Sequence, residues 1–288
     1  MCLPRWGSLS KDMDYLAEIK KHEEAFWVFF SRNVSIIEAI GYTYPKADID
    51  NLESYIAHRC VNIHAMFQTF YKSYATQIDV LSANSFLRIF ADHISSLFLI
   101  YETGSKEETI LRHYLSIADS CETDLEALKE LGQSKNVNDE GRHYVQTEKK
   151  EKEAVCQHCV DAIKALPFYG KNKEVVDNLI QGSRKGYGKF NWKYIDLQNY
   201  DVRNVKGSSY SYARLYSEKL RLASQHVVIL SQYVHGLAGS VAAPNNIIVE
   251  AKMKTLAHLL IMSFSRFLWM KYNTPPSNIE SDYLFSLV

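Results

Sequence analysis

Apolar residues recur every three or four positions along most of this 288-residue chain, and only 12 glycines and 6 prolines break the pattern. That spacing is the period of an α-helix presenting one buried face, so the chain is read as helical almost throughout. A first helix is expected from about Ser8 to Gly41, carrying Ile19, Phe26, Phe29, Ile36 and Ile40 on its apolar face. A second is expected from about Asp48 to Ala75 and a third from about Ser82 to Glu102. Ser105-Lys-Glu-Glu108 has the form of a capping box: the serine oxygen accepts from the N–H three residues on, and the glutamate reaches back. It opens a fourth helix ending near Gly132.

Between Gln133 and Glu153 the chain turns polar and charged, which reads as an exposed connection into a fifth helix from about Tyr144 to Leu166. A short helix to Ile180, a long one within Ser208 to Ser240 and a last one from about Asn245 to Tyr272 complete the series. No convincing strand is seen. The expected fold is therefore an all-α, elongated bundle of about seven to nine helices. A single body, 1–288, is expected, with an N-terminal half at 1–132, the polar connection at 133–153 and a C-terminal half at 154–288.

Charge and cysteine content narrow the function classes. Lys plus Arg equal Asp plus Glu at 33 each, which gives no global attraction to nucleic acid or to an anionic membrane. The five cysteines are odd in number and lie mostly in helical patterns, as expected of thiols in a reducing cytosol. The first residues lack the apolar run of a signal peptide, and the most apolar window, Thr255 to Met270, is interrupted by Arg266. A cytoplasmic protein with no membrane partner is the expectation. Cys156-Gln-His-Cys159 is read as core cysteines on a helix, because a structural zinc needs four ligands and no second Cys-x-x-Cys exists. No metal and no cofactor are expected.

Two places carry candidate chemistry. The segment Gln181 to Lys206 interleaves Tyr187, Phe190, Trp192 and Tyr194 with basic residues, a composition able to hold phosphates and stack bases. The competing reading, that these aromatics pin a long loop to the bundle, is preferred. The second place is the end of the Ser208 to Ser240 helix, where Ser231 and His235 are four residues apart and so share a face. A histidine at a helix C-terminus gains proton affinity from the helix dipole and can move protons near neutral pH.

Trp192, Tyr216 and the run Leu-Ser-x-x-Val-His-Gly at Leu230 to Gly236 resemble the second half of an uncharacterised, all-helical family of bacterial and phage proteins, a domain of unknown function. Arg88, Asp92 and the apolar stretch to Tyr101 match its first half, so the resemblance spans roughly Asn84 to Phe267. It implies a helical bundle and brings no activity. A looser resemblance is to the HEPN superfamily, which includes metal-independent ribonucleases of toxin and phage-defence systems. Its signature is an arginine followed a few residues later by a histidine, and Arg59/His64, Arg88/His93 and Arg221/His226 all have that spacing.

In that family the arginine holds the scissile phosphate while the histidine moves protons. None of the three arginines here is followed by the Asn or Asp common in active members. The leading expectation is a protein that binds a ligand or partner in a polar pocket walled by Arg88, Asp92, Tyr216, Arg221, Ser231 and His235. The alternative is a HEPN-like ribonuclease acting as a homodimer, using Arg88 and His93 or Arg221 and His235, with RNA bound by the 181–206 loop. A structural interaction module is the third reading.

Overall fold

The chain is all-α. The structure is a computed structural model that describes residues 6–75, 80–103, 105–182, 189–193, 195–196, 201–202, 219–220, 222, 226, 230–231, 234 and 247–272. Among these, seven α-helices have defined bounds: α1 (Trp6–Thr43), α2 (Leu52–Ala75), α3 (Val80–Tyr101), α4 (Lys106–Gln133), α5 (Asp139–Lys164), α6 (Lys173–Gln181) and α7 (Ile247–Lys271). A single turn of 3₁₀ helix (Tyr169–Lys171) precedes α6. His226, Leu230, Ser231 and Val234 are also helical, within the long helix expected at 208–240. The contacts divide the chain into two units, Met1–Phe98 with Tyr212–Val288, and Leu99–Ser211. This grouping differs from the halves 1–132 and 154–288 because the last helix returns to the first.

In the first unit α1 and α7 run parallel, since contact partners keep a nearly constant offset: His22 meets His258, Asn33 meets Ser265 and Phe29 stacks on Trp269. α2 runs antiparallel to α1, bringing Phe67 and Tyr71 to Phe26 and His64 to Phe30. α3 reverses again and places Phe90 on Phe67 and Phe70. The core is thus an aromatic cluster of Phe26, Phe29, Phe67, Phe70, Phe90 and Phe264, all essentially inaccessible to water. Its rings pack in tilted, stacked and edge-on pairs, each adding about 0.5–1.5 kcal/mol beyond the burial itself. α7 is apolar around nearly its whole circumference and is buried accordingly, from Ala251 to Trp269. Among the described residues no helix is long and apolar enough to cross a membrane.

The second unit is built on a hairpin of α4 and α5. Ser105 caps α4 as expected, accepting from the Glu108 N–H at 3.1 Å. The Glu108 carboxylate instead turns forward to Arg112, whose Nη2 lies 2.7 Å away, because the arginine is a stronger partner than a backbone amide. α5 begins at Asp139, five residues before the expected start, behind an Asn138 cap that accepts from Gly141 N–H at 2.8 Å. Glu, Lys and Gln extend a helix readily even where nothing is buried, so the polar stretch is largely helix rather than connection.

Gly132 permits the close approach at the hairpin's end: a Cβ there would meet Val145 Cγ1 at 3.3 Å. The expected loop after α6 contains a minimal antiparallel ladder, Ile195 with Val202 and Asp196 with Asp201, too short to alter the fold class.

Candidate functional site

Of the expected pocket residues, Tyr216, Arg221 and His235 lie outside the described residues. The structure does bring Arg88, Asp92 and Ser231 together. Arg88 and Asp92, one turn apart on α3, form an ion pair, and Arg88 Nε donates to Ser231 Oγ at 3.1 Å. The guanidinium therefore ties α3 to the segment around Ser231. His93 stands exposed on a different face of α3, about 140° around the helix from Arg88. Desolvation, then the charge of Arg59 on α2, lowers its pKa, while Asp92 opposes. The Arg88/His93 spacing thus does not aim both side chains at one point. His64 of the Arg59/His64 spacing is buried against the Phe30 ring, and desolvation pushes it down to about 4.

The basic-aromatic loop is held inward at its described positions. Phe190 and Trp192 are buried, and Trp192 Nε1 donates to Asp119 at 2.9 Å. Phe190 N–H donates to Ile180 O and Asn191 N–H to Leu179 O, with Phe190 in the left-handed region at φ 53°. Arg112 donates through Nη1 to Trp192 O and through Nη2 to Ile195 O, both at 2.7 Å. Phe190 and Trp192 therefore pin the loop, and neither offers a stacking face. Tyr187 and Tyr194 lie outside the described residues.

A cavity of about 390 Å³ opens in the first unit one turn from the Arg88–Ser231 bond. Its walls come from α1, α3, α7 and the 226–230 segment. Leu230, Met253, Leu256 and Leu259 are among its apolar lining residues. Tyr15, Glu18, His226 and Lys252 also line it, as does Asn84 of α3, 5% exposed. Asn84 and Arg88 are four apart on α3, and Leu230 and Ser231 are adjacent, so the Arg88 bond fixes the two segments that carry part of the wall.

Behind Glu18 runs a line of buried nitrogen atoms. His22 Nε2 faces the Glu18 carboxylate at 3.6 Å, and His22 Nδ1 lies 2.9 Å from His258 Nδ1. One proton must sit between the two Nδ1 atoms. A carboxylate on that side favours the tautomer with the His22 proton on Nε2, in which His22 Nδ1 accepts from His258 Nδ1–H. His258 Nε2 is then a buried lone pair with no hydrogen-bond partner among the described residues. Desolvation dominates both rings and lowers both pKa values, that of His258 to about 4, so both are neutral at physiological pH. A turn away, Lys254 is also buried, with Nζ 3.5 Å from Glu23 and set over the Tyr71 ring, while Tyr71 donates to Glu23 at 2.6 Å. Burial lowers the Lys254 pKa and Glu23 opposes it.

Glu18, His22, Asn84 and His258 were not singled out from sequence. A signal was present: His22 falls in the helical series Ile19, Phe26, Phe29, and His258 inside the apolar run 255–265, so both are polar residues on buried faces. Among the described residues no group of three or more His, Cys, Asp and Glu could hold a metal ion. No protein-family model, curated protein or solved structure matches the chain.

Proposed function

We propose that this protein binds a small amphipathic molecule, with its apolar body against Leu230, Met253, Leu256 and Leu259 and its polar head toward Glu18, His226 and Lys252. The observation that carries this reading is the cavity itself, lined by both apolar and polar side chains and of the size that small-ligand sites occupy. Arg88, Asp92 and Ser231 act as positioning residues, holding α3 against the 226–230 segment. The buried His22–His258 pair supports the wall from behind and keeps Glu18 oriented.

The test is a thermal-shift titration of the full chain with medium-chain alkylamines and the matching alkyl carboxylates, repeated on Thr255→Leu. Thr255 lines the cavity and its hydroxyl serves only Ala251 O, so leucine fills space without removing an interhelical bond. Saturable stabilisation by at least one series, weakened about tenfold or more in Thr255→Leu, supports the reading. Absence of saturable binding by either series sinks it. Incubation with total RNA supplies an opposing outcome: cleavage abolished by Arg88→Ala would move the function to phosphodiester chemistry.

A further inference from the structure

We infer that Cys121 and Cys156 form a reversible disulfide site that staples α4 to α5 under oxidising conditions. The inference rests on the register of the hairpin. Gly132 on α4 meets Val145 on α5, and Asp124 Oδ2 meets Lys152 Nζ at 2.6 Å. In an antiparallel pair each step forward on one helix is matched by a step back on the other, so these two contacts predict that Cys121 lies opposite Cys156. The atoms agree. Cys156 Sγ donates to Ala118 O at 3.5 Å, one turn before Cys121 on α4. Each thiol also acts on the other's proton affinity, as neighbouring sulfurs do. Cys121 is buried and Cys156 half-buried, so one sulfur is reachable from solvent while its partner waits behind it.

Neither sulfur serves any other described role, and Cys159, three residues along α5, is buried. Among the described cysteines of this unit, Cys121 is the one that the hairpin register sets opposite Cys156.

The oxidant is a small-molecule disulfide. The Cys156 thiolate attacks one of its sulfurs, giving a mixed disulfide and expelling one thiolate, which takes up a proton. Cys121 then attacks Cys156 Sγ, forming the Cys121–Cys156 bond and releasing the second thiol. Two protein thiols are oxidised, one small-molecule disulfide is reduced to two thiols, and the protons balance. Burial, then Cys121 and Glu122, pushes the Cys156 thiol up to about 11, so little thiolate exists at neutral pH. The first step is slow and its rate rises about tenfold per pH unit below that value.

The experiment treats the full-length protein with excess oxidised glutathione at mildly alkaline pH and maps disulfide-linked peptides by mass spectrometry, with a guanidinium-unfolded sample alongside. The expected product is one cross-link joining the Cys121 and Cys156 peptides, reversed by dithiothreitol, retained in Cys159→Ser and lost in Cys156→Ser. Its formation raises the thermal midpoint of the second unit. The inference is overturned if the folded protein gives only glutathionylated Cys156, pairs Cys156 with another cysteine, or stays reduced where the unfolded sample reacts. The wild-type map decides among these without any variant.

Discussion

The two units bury polar groups of both kinds but lean on different ones. In the first, the ties between helices are mainly uncharged: His22 with His258, His64 against Phe30, and Asn33 Nδ2 donating to Ser265 Oγ at 2.8 Å, with buried Lys254 beside Glu23 the charged exception. In the second, ionic ties are prominent, although His113 is buried there beside the Tyr101 hydroxyl. Arg112 joins Glu108 and two backbone carbonyls in the interior, while Lys152–Asp124 and Lys189–Glu122 clasp α4 from its rim. A neutral buried group is stable only while it stays neutral, whereas a buried charge is stable only while its partner is present. The first unit is therefore vulnerable to acid and the second to loss of a single partner.

The largest expected effect breaks the second rule. Arg112→Met leaves the Glu108 carboxylate and the carbonyls of Trp192 and Ile195 without their donor, at a cost of about 3–5 kcal/mol. Denaturant titration combined with hydrogen exchange should locate the loss in the second unit. Arg112→Lys should recover only part of it, because an ammonium cannot reproduce the fork. An unchanged denaturation midpoint would remove the contrast drawn here.

Acid tests the other unit. His64 and His258 each have a folded pKa lowered from 6.5 to about 4, so the unfolded chain takes up protons first as pH falls. Stability is full above about pH 6.5 and declines toward pH 4, by at most about 3 kcal/mol per ring. His64→Leu, which removes an unpartnered Nδ1 from an apolar setting, should flatten part of that slope. An identical acid profile in wild type and variant would assign the slope to other groups.

The smallest effect calibrates the scale of the charge pairs. Lys152→Ala removes a pair whose side chains are 33% and 44% exposed, and should cost no more than about 1 kcal/mol, shrinking further with added salt. A loss comparable to that of Arg112→Met would show that exposure does not govern these pairs.

Much of this was legible beforehand, and the misses have physical causes. Helix positions followed from apolar spacing to within a few residues, except at α5, where a charged segment has no apolar face to display. The Ser105 cap was visible because its chemistry is local, whereas the turn of Glu108 toward Arg112 depended on where Trp192 and Ile195 come to lie. Of the six residues expected to wall a polar pocket, Arg88, Asp92 and Ser231 meet, while Tyr216, Arg221 and His235 lie outside the described residues. The cavity beside them draws on four segments far apart in sequence, and the His22–His258 contact spans nearly the whole chain. Periodicity marks which residues are buried; it does not say which buried residues face each other.

Arg112 grips main-chain oxygens at Trp192 and Ile195, not side chains. Its hold is indifferent to which residues occupy those two positions, since every amino acid presents the same carbonyl. What those positions can hold is set instead by the packing around them, since Trp192 and Ile195 are both buried and Trp192 also donates to Asp119.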